Sequence, residues 1–209
     1  MCIRDSIGLD QALANTGWVV GEVNNKEIAL IDAGCLVTKA EEDLMDRLLK
    51  IDALVSSLLE TYRPQRVYTE SVFMPFNRKG IAAVRALLKV EAVVHLSLTK
   101  HKCAYSVMCS DPKVETSWRA VLNVNKGVKG KELPFVKDKG LTINEHTADA
   151  VGILLGGVVV ENIVNLEKAL NFVNNIPSVV KIKKSKKGVR EDGLTRRVRD
   201  RGVRKEVRV

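Results

Sequence analysis

The stretch IGLDQALANTGWVVGEV (7–23) decides how the chain is read. Its short apolar run, 7–9, ends at Asp10. GWVVGEV (17–23) and EIALIDAGCLV (27–37) follow, joined by the turn-like NNK, and their Val and Ile content predicts strands. The close spacing predicts antiparallel hairpins. A carboxylate at the edge of a core is costly unless a cation meets it there. The same arrangement recurs at RVYTE (66–70), which ends on Glu70.

Outward from this stretch, Leu44, Leu48, Ile51, Val55 and Leu58 repeat at helical spacing, and Pro64 stops the pattern. A helix is expected over 41–61. A second is expected over 80–98, a strand over 103–107, and a further helix in part of 112–122. A Lys/Gly-rich loop, NKGVKGKE, comes next, and another helix begins near His146. Three strands followed by helix–strand, helix–strand and helix make a mixed α/β sheet flanked by helices. If the strands ending at Asp10 and Glu70 are parallel neighbours, their carboxylates lie side by side where strand ends meet a helix.

NEHTADAVGILL (144–155) supplies that helix. His146 and Asp149 are three apart and share a helical face. Oxygen-rich clusters of this kind suit Mg²⁺ or Mn²⁺, and two such ions can activate a water against a phosphodiester. Each residue alone has an ordinary reading as a turn residue, a helix cap or a packed histidine. The four in this order are far less expected by accident.

Taken together, IGLDQALANTGW, VYTESVF and HTADAVGILL resemble the three active-site motifs of the RuvC-type Holliday-junction resolvases, over about Ile7 to Val160. The resemblance implies an RNase H-like fold with a five-stranded sheet, three strands antiparallel and the rest parallel. It implies a homodimer that cleaves branched DNA, with two Mg²⁺ or Mn²⁺ ions per active site. Asp10 matches the first-strand aspartate, Glu70 the fourth-strand glutamate and Asp149 the helical aspartate. His146 falls where many members carry aspartate and some histidine. One negative charge fewer is expected to favour Mn²⁺. Asp10-Gln11-Ala12 departs from the Asp-Pro-Gly of many relatives.

The resemblance also directs attention to DNA contacts. Phe73 lies three residues after Glu70, in FMPFNRKG, and an aromatic at this offset stacks on unpaired junction bases, an interaction worth about 1–3 kcal/mol per base. Arg78 and Lys79 share its loop and are expected at phosphates. Arg119, Lys129 and Lys131, in WRAVLNVNKGVKGKE, are expected to meet the backbone as well. Packing under a loop, or plain solvation, is the ordinary alternative for each.

Composition bounds these readings. Among 209 residues, 45% are hydrophobic and 28% charged, as in a globular domain. The longest apolar run, AVGILLGGVVV, is far shorter than the roughly 20 residues that cross a bilayer. With no apolar signal core after the start, the expected location is the cytoplasm of a bacterial or phage-infected cell. The four cysteines lack CxxC spacing, so neither a disulfide framework nor a zinc knuckle is expected. The net charge of +9 sits wholly in 181–209, where thirteen Lys/Arg face four Asp/Glu. The expected organisation is a nuclease domain over 7–164, a helical extension over 165–180 and a flexible basic tail over 181–209. MCIRDS reads as a replaced start, which predicts a truncated or poorly packed first strand, and the Arg–Val tail after about Leu194 reads as non-native too. Alternatives are an RNase H-like nuclease acting on RNA or RNA–DNA hybrid, and an inactive branched-DNA-binding protein. A sugar-kinase-like ATPase is disfavoured, because no second phosphate loop or duplicated domain is visible.

Overall fold

In the computed structural model, which describes residues 4–23, 28–72, 81–111, 113–122 and 145–175, the sheet order is β3-β2-β1-β4-β5. Strands β1 (Arg4–Asp10), β2 (Asn15–Val23) and β3 (Ile28–Val37) form the antiparallel part. Strands β4 (Arg66–Glu70) and β5 (Ala104–Met108) add in parallel beside β1. This is the mixed five-stranded sheet that the sequence predicts.

The first strand departs from expectation. It is neither truncated nor loose: it pairs with β2 from Arg4↔Val23 to Asp10↔Gly17. Backbone pairing is indifferent to side-chain polarity, and the residue that must be buried there is the small Ser6, opposite Gly21. The Asp5 carbonyl accepts the Gln65 N–H at 2.8 Å, which secures the same end.

Side-chain alternation along β1 sorts the two faces. Ile7 and Leu9 point toward helices α1 (Leu44–Tyr62) and α2 (Ile81–Lys100), packing with Leu48, Ile51, Val55, Val90, Val94 and Leu98. Helix α1 starts where the Asp43 carboxylate accepts the Met45 N–H at 2.8 Å. It ends on Arg63 in the left-handed conformation, φ 47°, just before Pro64.

Gly8 and Asp10 point the other way, toward helix α4 (Glu145–Val160). Ten of its residues are buried, and its core partners include Val19, Tyr68 and Met108 from the sheet. Trp118, at the start of the short helix α3 (Trp118–Val121), is fully buried in this layer, and Ala169 of α5 (Leu166–Asn175) joins it. The helix expected within 112–122 is therefore a single turn. Among the described residues no helix is long and apolar enough to cross a membrane.

Candidate active site

Parallel pairing of β1 with β4 runs through Leu9↔Thr69, so Asp10 and Glu70 are the next residues on adjacent strands. Leu9 packs toward α1 and α2, and strand alternation sends Asp10 to the α4 side; Tyr68, two residues before Glu70, packs in that same layer. Both carboxylates thus leave the sheet at its carboxyl edge, facing α4.

The approach of α4 depends on two glycines. A Cβ at Gly8 would stand 2.2 Å from the Ala150 carbonyl oxygen, and one at Gly17 would stand 2.1 Å from that of His146. With no side chain at either position, the first turns of α4 lie directly on β1 and β2. Thr147 fixes the contact by donating its hydroxyl to the Gly34 carbonyl on β3 at 2.9 Å. His146 and Asp149 are thereby delivered to the strand ends. His146 Nδ1 lies 2.9 Å from Asp10 Oδ2.

Asp10, Gln11, Glu70, Ser71, His146 and Asp149 line one cleft of about 350 Å³. Arg119, on α3, reaches two of these carboxylates. Its Nη1 is 3.1 Å from Glu70 Oε1, its Nη2 is 3.5 Å from Asp149 Oδ2, and its guanidinium carbon stacks 4.1 Å from the centre of the Trp118 ring. Arg119, expected on a phosphate, thus serves here as the counter-charge of two carboxylates. Arg119 and His146 are the groups that meet these strand-end acids.

The electrostatics remain unbalanced. Burial pushes the Glu70 carboxyl up to about 7; Arg119 opposes that rise, and the neighbouring charge of Asp10 adds to it. The hydrogen bond with Asp10 raises the His146 imidazole above its usual value, against the opposing effect of burial. Three carboxylates and an imidazole on one cleft are the donor chemistry of a hard divalent cation. Among the described residues, no three His, Cys, Asp or Glu side chains stand close enough to share an ion as placed. Instead, Arg119 pairs with Glu70 and Asp149, and His146 pairs with Asp10. The donor set fits a cation once Arg119 yields its place.

Of the other expected contacts, Phe73, Arg78, Lys79, Lys129 and Lys131 lie outside the described residues. Two residues that sequence reasoning missed belong to the site. Trp118 supports Arg119, and Gln11 donates its Nε2 to the Glu70 carbonyl at 2.8 Å. The one signal for Gln11 was its place next to Asp10, where relatives often carry proline.

Residues 6–113 match the family model described as crossover junction endodeoxyribonuclease RuvC. The chain is similar to the protein of that name from Dictyoglomus thermophilum, 32% identical over 153 residues, 71% of this chain and 92% of the relative. The Synechocystis protein of the same name is 27% identical over 157 residues, 73% of this chain and 89% of the relative. In three dimensions the chain is similar to T. thermophilus RuvC in complex with a Holliday junction substrate. That similarity has a TM-score of 0.60 at 17% identity, covering 76% of this chain and 96% of the other. A second similar structure is that of the yeast mitochondrial Holliday junction resolvase Ydc2, with TM-score 0.50 and 11% identity over 81% and 83% of the two chains. At these identities the structural likeness speaks for the fold.

Proposed function

Because the chain belongs to the RuvC family of crossover junction endodeoxyribonucleases, we propose that its cleft hydrolyses phosphodiesters at four-way DNA junctions, with Asp10, Glu70, His146 and Asp149 as the metal-holding set. The observation that carries this assignment is the gathering of these four side chains, from β1, β4 and α4, on one cleft. Enzymes of this family are metal-dependent nucleases. We infer two ions here, Mg²⁺ or Mn²⁺, which Asp10, Glu70 and Asp149 would hold. Divalent ions held there would supply a lowered pKa for a bound water and a counter-charge for the phosphodiester. His146, whose Nδ1 is engaged by Asp10, keeps Nε2 for a cation or for a proton in transit. Arg119, displaced from Glu70 and Asp149, is long enough to turn to a DNA phosphate. Phe73 in base stacking, with Arg78, Lys79, Lys129 and Lys131 on the backbone, complete the proposed DNA contacts.

A four-way junction presents two strands for paired cuts, so we infer a homodimer with one site per copy. Apolar side chains left exposed on α2 (Ile81, Leu88, Leu96) and on β5 (Tyr105, Val107) support a pairing surface there. The bacterial sources of the relatives favour a cytoplasmic setting in a bacterial or phage-infected cell.

The test is incubation of the protein with labelled four-way junction and with linear duplex, in Mg²⁺ or Mn²⁺. Paired nicks confined to the junction are expected, faster in Mn²⁺, and Asp10→Asn should slow them about a thousandfold or more. Equal cutting of duplex or of RNA–DNA hybrid would transfer the site to another RNase H-like activity. Binding without cutting in both metals would make the chain a branched-DNA-binding protein.

A further inference from the structure

Gln11 is 8% exposed, immediately follows Asp10 and lines the acidic cleft. An amide side chain has a donor half and an acceptor half. The donor half is accounted for: Nε2 reaches the Glu70 carbonyl at 2.8 Å and ties the strand end that carries Glu70 to the one that carries Asp10. This contact also fixes which way the amide faces, since the flipped amide would set oxygen against oxygen. The acceptor half is unaccounted for. Oε1 is buried and has no hydrogen-bond partner among the described residues. A buried acceptor left unpaired loses its water without gaining a partner, and is costly. Thr69 and Ser117 also carry orphaned hydroxyls, but neither lines the cleft.

We propose that Gln11 Oε1 is a neutral oxygen ligand for the divalent cation held between Asp10 and Glu70. Amide oxygens of Gln are ordinary ligands of hard cations. A neutral donor at this position adds coordination without adding to the carboxylate repulsion that already burdens Glu70. Gln11 then has two tasks, one per half of its amide: Nε2 sets the distance between the strand ends, and Oε1 closes the site they form. The inference rests on the metal-dependent reading of the cleft given above.

The experiment uses the full chain, Mn²⁺ and no DNA. Manganese affinity is measured by paramagnetic resonance titration, and the waters on the bound ion are counted in ¹⁷O-enriched water. Gln11→Leu should weaken binding at least about tenfold, by comparison with the loss of supporting groups around other metal sites. It should also raise the water count by one, as solvent takes the vacated position. Gln11→Met is the second variant should the first fold poorly, with the same expectation. Weaker binding at an unchanged water count would reduce Gln11 to a strand tie and overturn the proposal. So would unchanged affinity. Failure of the unaltered protein to bind Mn²⁺ would instead bring down the metal-dependent reading itself, before any variant is made.

Discussion

The two faces of the sheet are covered by helices in different ways. Helices α1 and α2 rest on one face through an ordinary layer of side chains. Their buried residues, such as Ile51, Val55 and Val94, recur at helical spacing, while Met45 and Leu49 on α1 are 61% exposed. Helix α4 on the other face has almost no exposed side, and its backbone comes down onto Gly8 and Gly17. A layer of side chains can shift to absorb small errors. Backbone against backbone cannot, and α4 is the helix that brings His146 and Asp149 to the strand ends. The chain places adaptable packing away from the chemistry and unyielding packing beneath it.

The largest effect should come from breaking the second kind of contact. Gly8→Val would drive its Cβ into the Ala150 carbonyl and Leu154, so α4 must lift from β1. A destabilisation of about 3 kcal/mol or more is expected in denaturant melts. Cleavage by the molecules that still fold should fall about a hundredfold, the scale of an ångström's misplacement of reacting groups. Ile51→Ala on the opposite face, at a fully buried position, should cost about 2–5 kcal/mol. Corrected for the folded fraction, its junction cleavage should be unchanged. Equal losses of cleavage per folded molecule would erase the distinction between the faces.

The same distinction explains what could be read from the sequence. The α1 face was legible because periodicity reports side-chain layers: Leu48, Ile51, Val55 and Leu58 are buried as their spacing requires. Asp10 and Glu70 were legible as the ends of apolar runs, and His146 and Asp149 by their separation of three. The contacts within the site were not legible, because they are made at long range. Gln11 meets a carbonyl 59 positions away, and Arg119 reaches Glu70 only because Trp118 is buried against α4. Nothing local in Trp118-Arg119 distinguishes an arginine that serves carboxylates from one that serves phosphate. The polar start of β1 misled for the converse reason: pairing with β2 outweighed local composition.

Titration should sharpen the contrast, because the ionisable load sits on the α4 side. Glu70 has a folded pKa of about 7 against an ordinary 4.5, so the native state binds this proton more tightly than the unfolded chain. Stability of the metal-free protein should therefore decline as pH rises from about 4.5 to 7. The raised His146 pKa acts in the same sense: its stabilisation is complete below 6.5 and is lost as pH passes through the higher folded value. The Glu70 proton alone should remove of the order of 2 kcal/mol between pH 5 and 8, as measured by urea melts with a chelator present. Mg²⁺ favours the ionised carboxylates, so the gap between melts with and without the ion should widen with pH. A gap that narrowed would mean these groups do not bind the ion.

Arg119→Met offers the smallest change and the most discriminating one. The guanidinium pairs with Glu70 and Asp149, so a divalent cation held there as proposed would compete with it for the same oxygens. Removing the charge removes the competitor, while methionine keeps an apolar stem against Trp118. Binding of Mg²⁺ or Mn²⁺, followed by calorimetry, should tighten roughly fivefold, about the strength of one partly exposed ion pair. Single-turnover cleavage at saturating metal should fall about tenfold, because the displaced arginine no longer has a charge to offer a phosphate. The two readouts thus move in opposite directions. If Arg119 only propped the carboxylates apart, binding and cleavage would decline together, and the α3 contribution would be scaffolding of the α1 kind rather than part of the site.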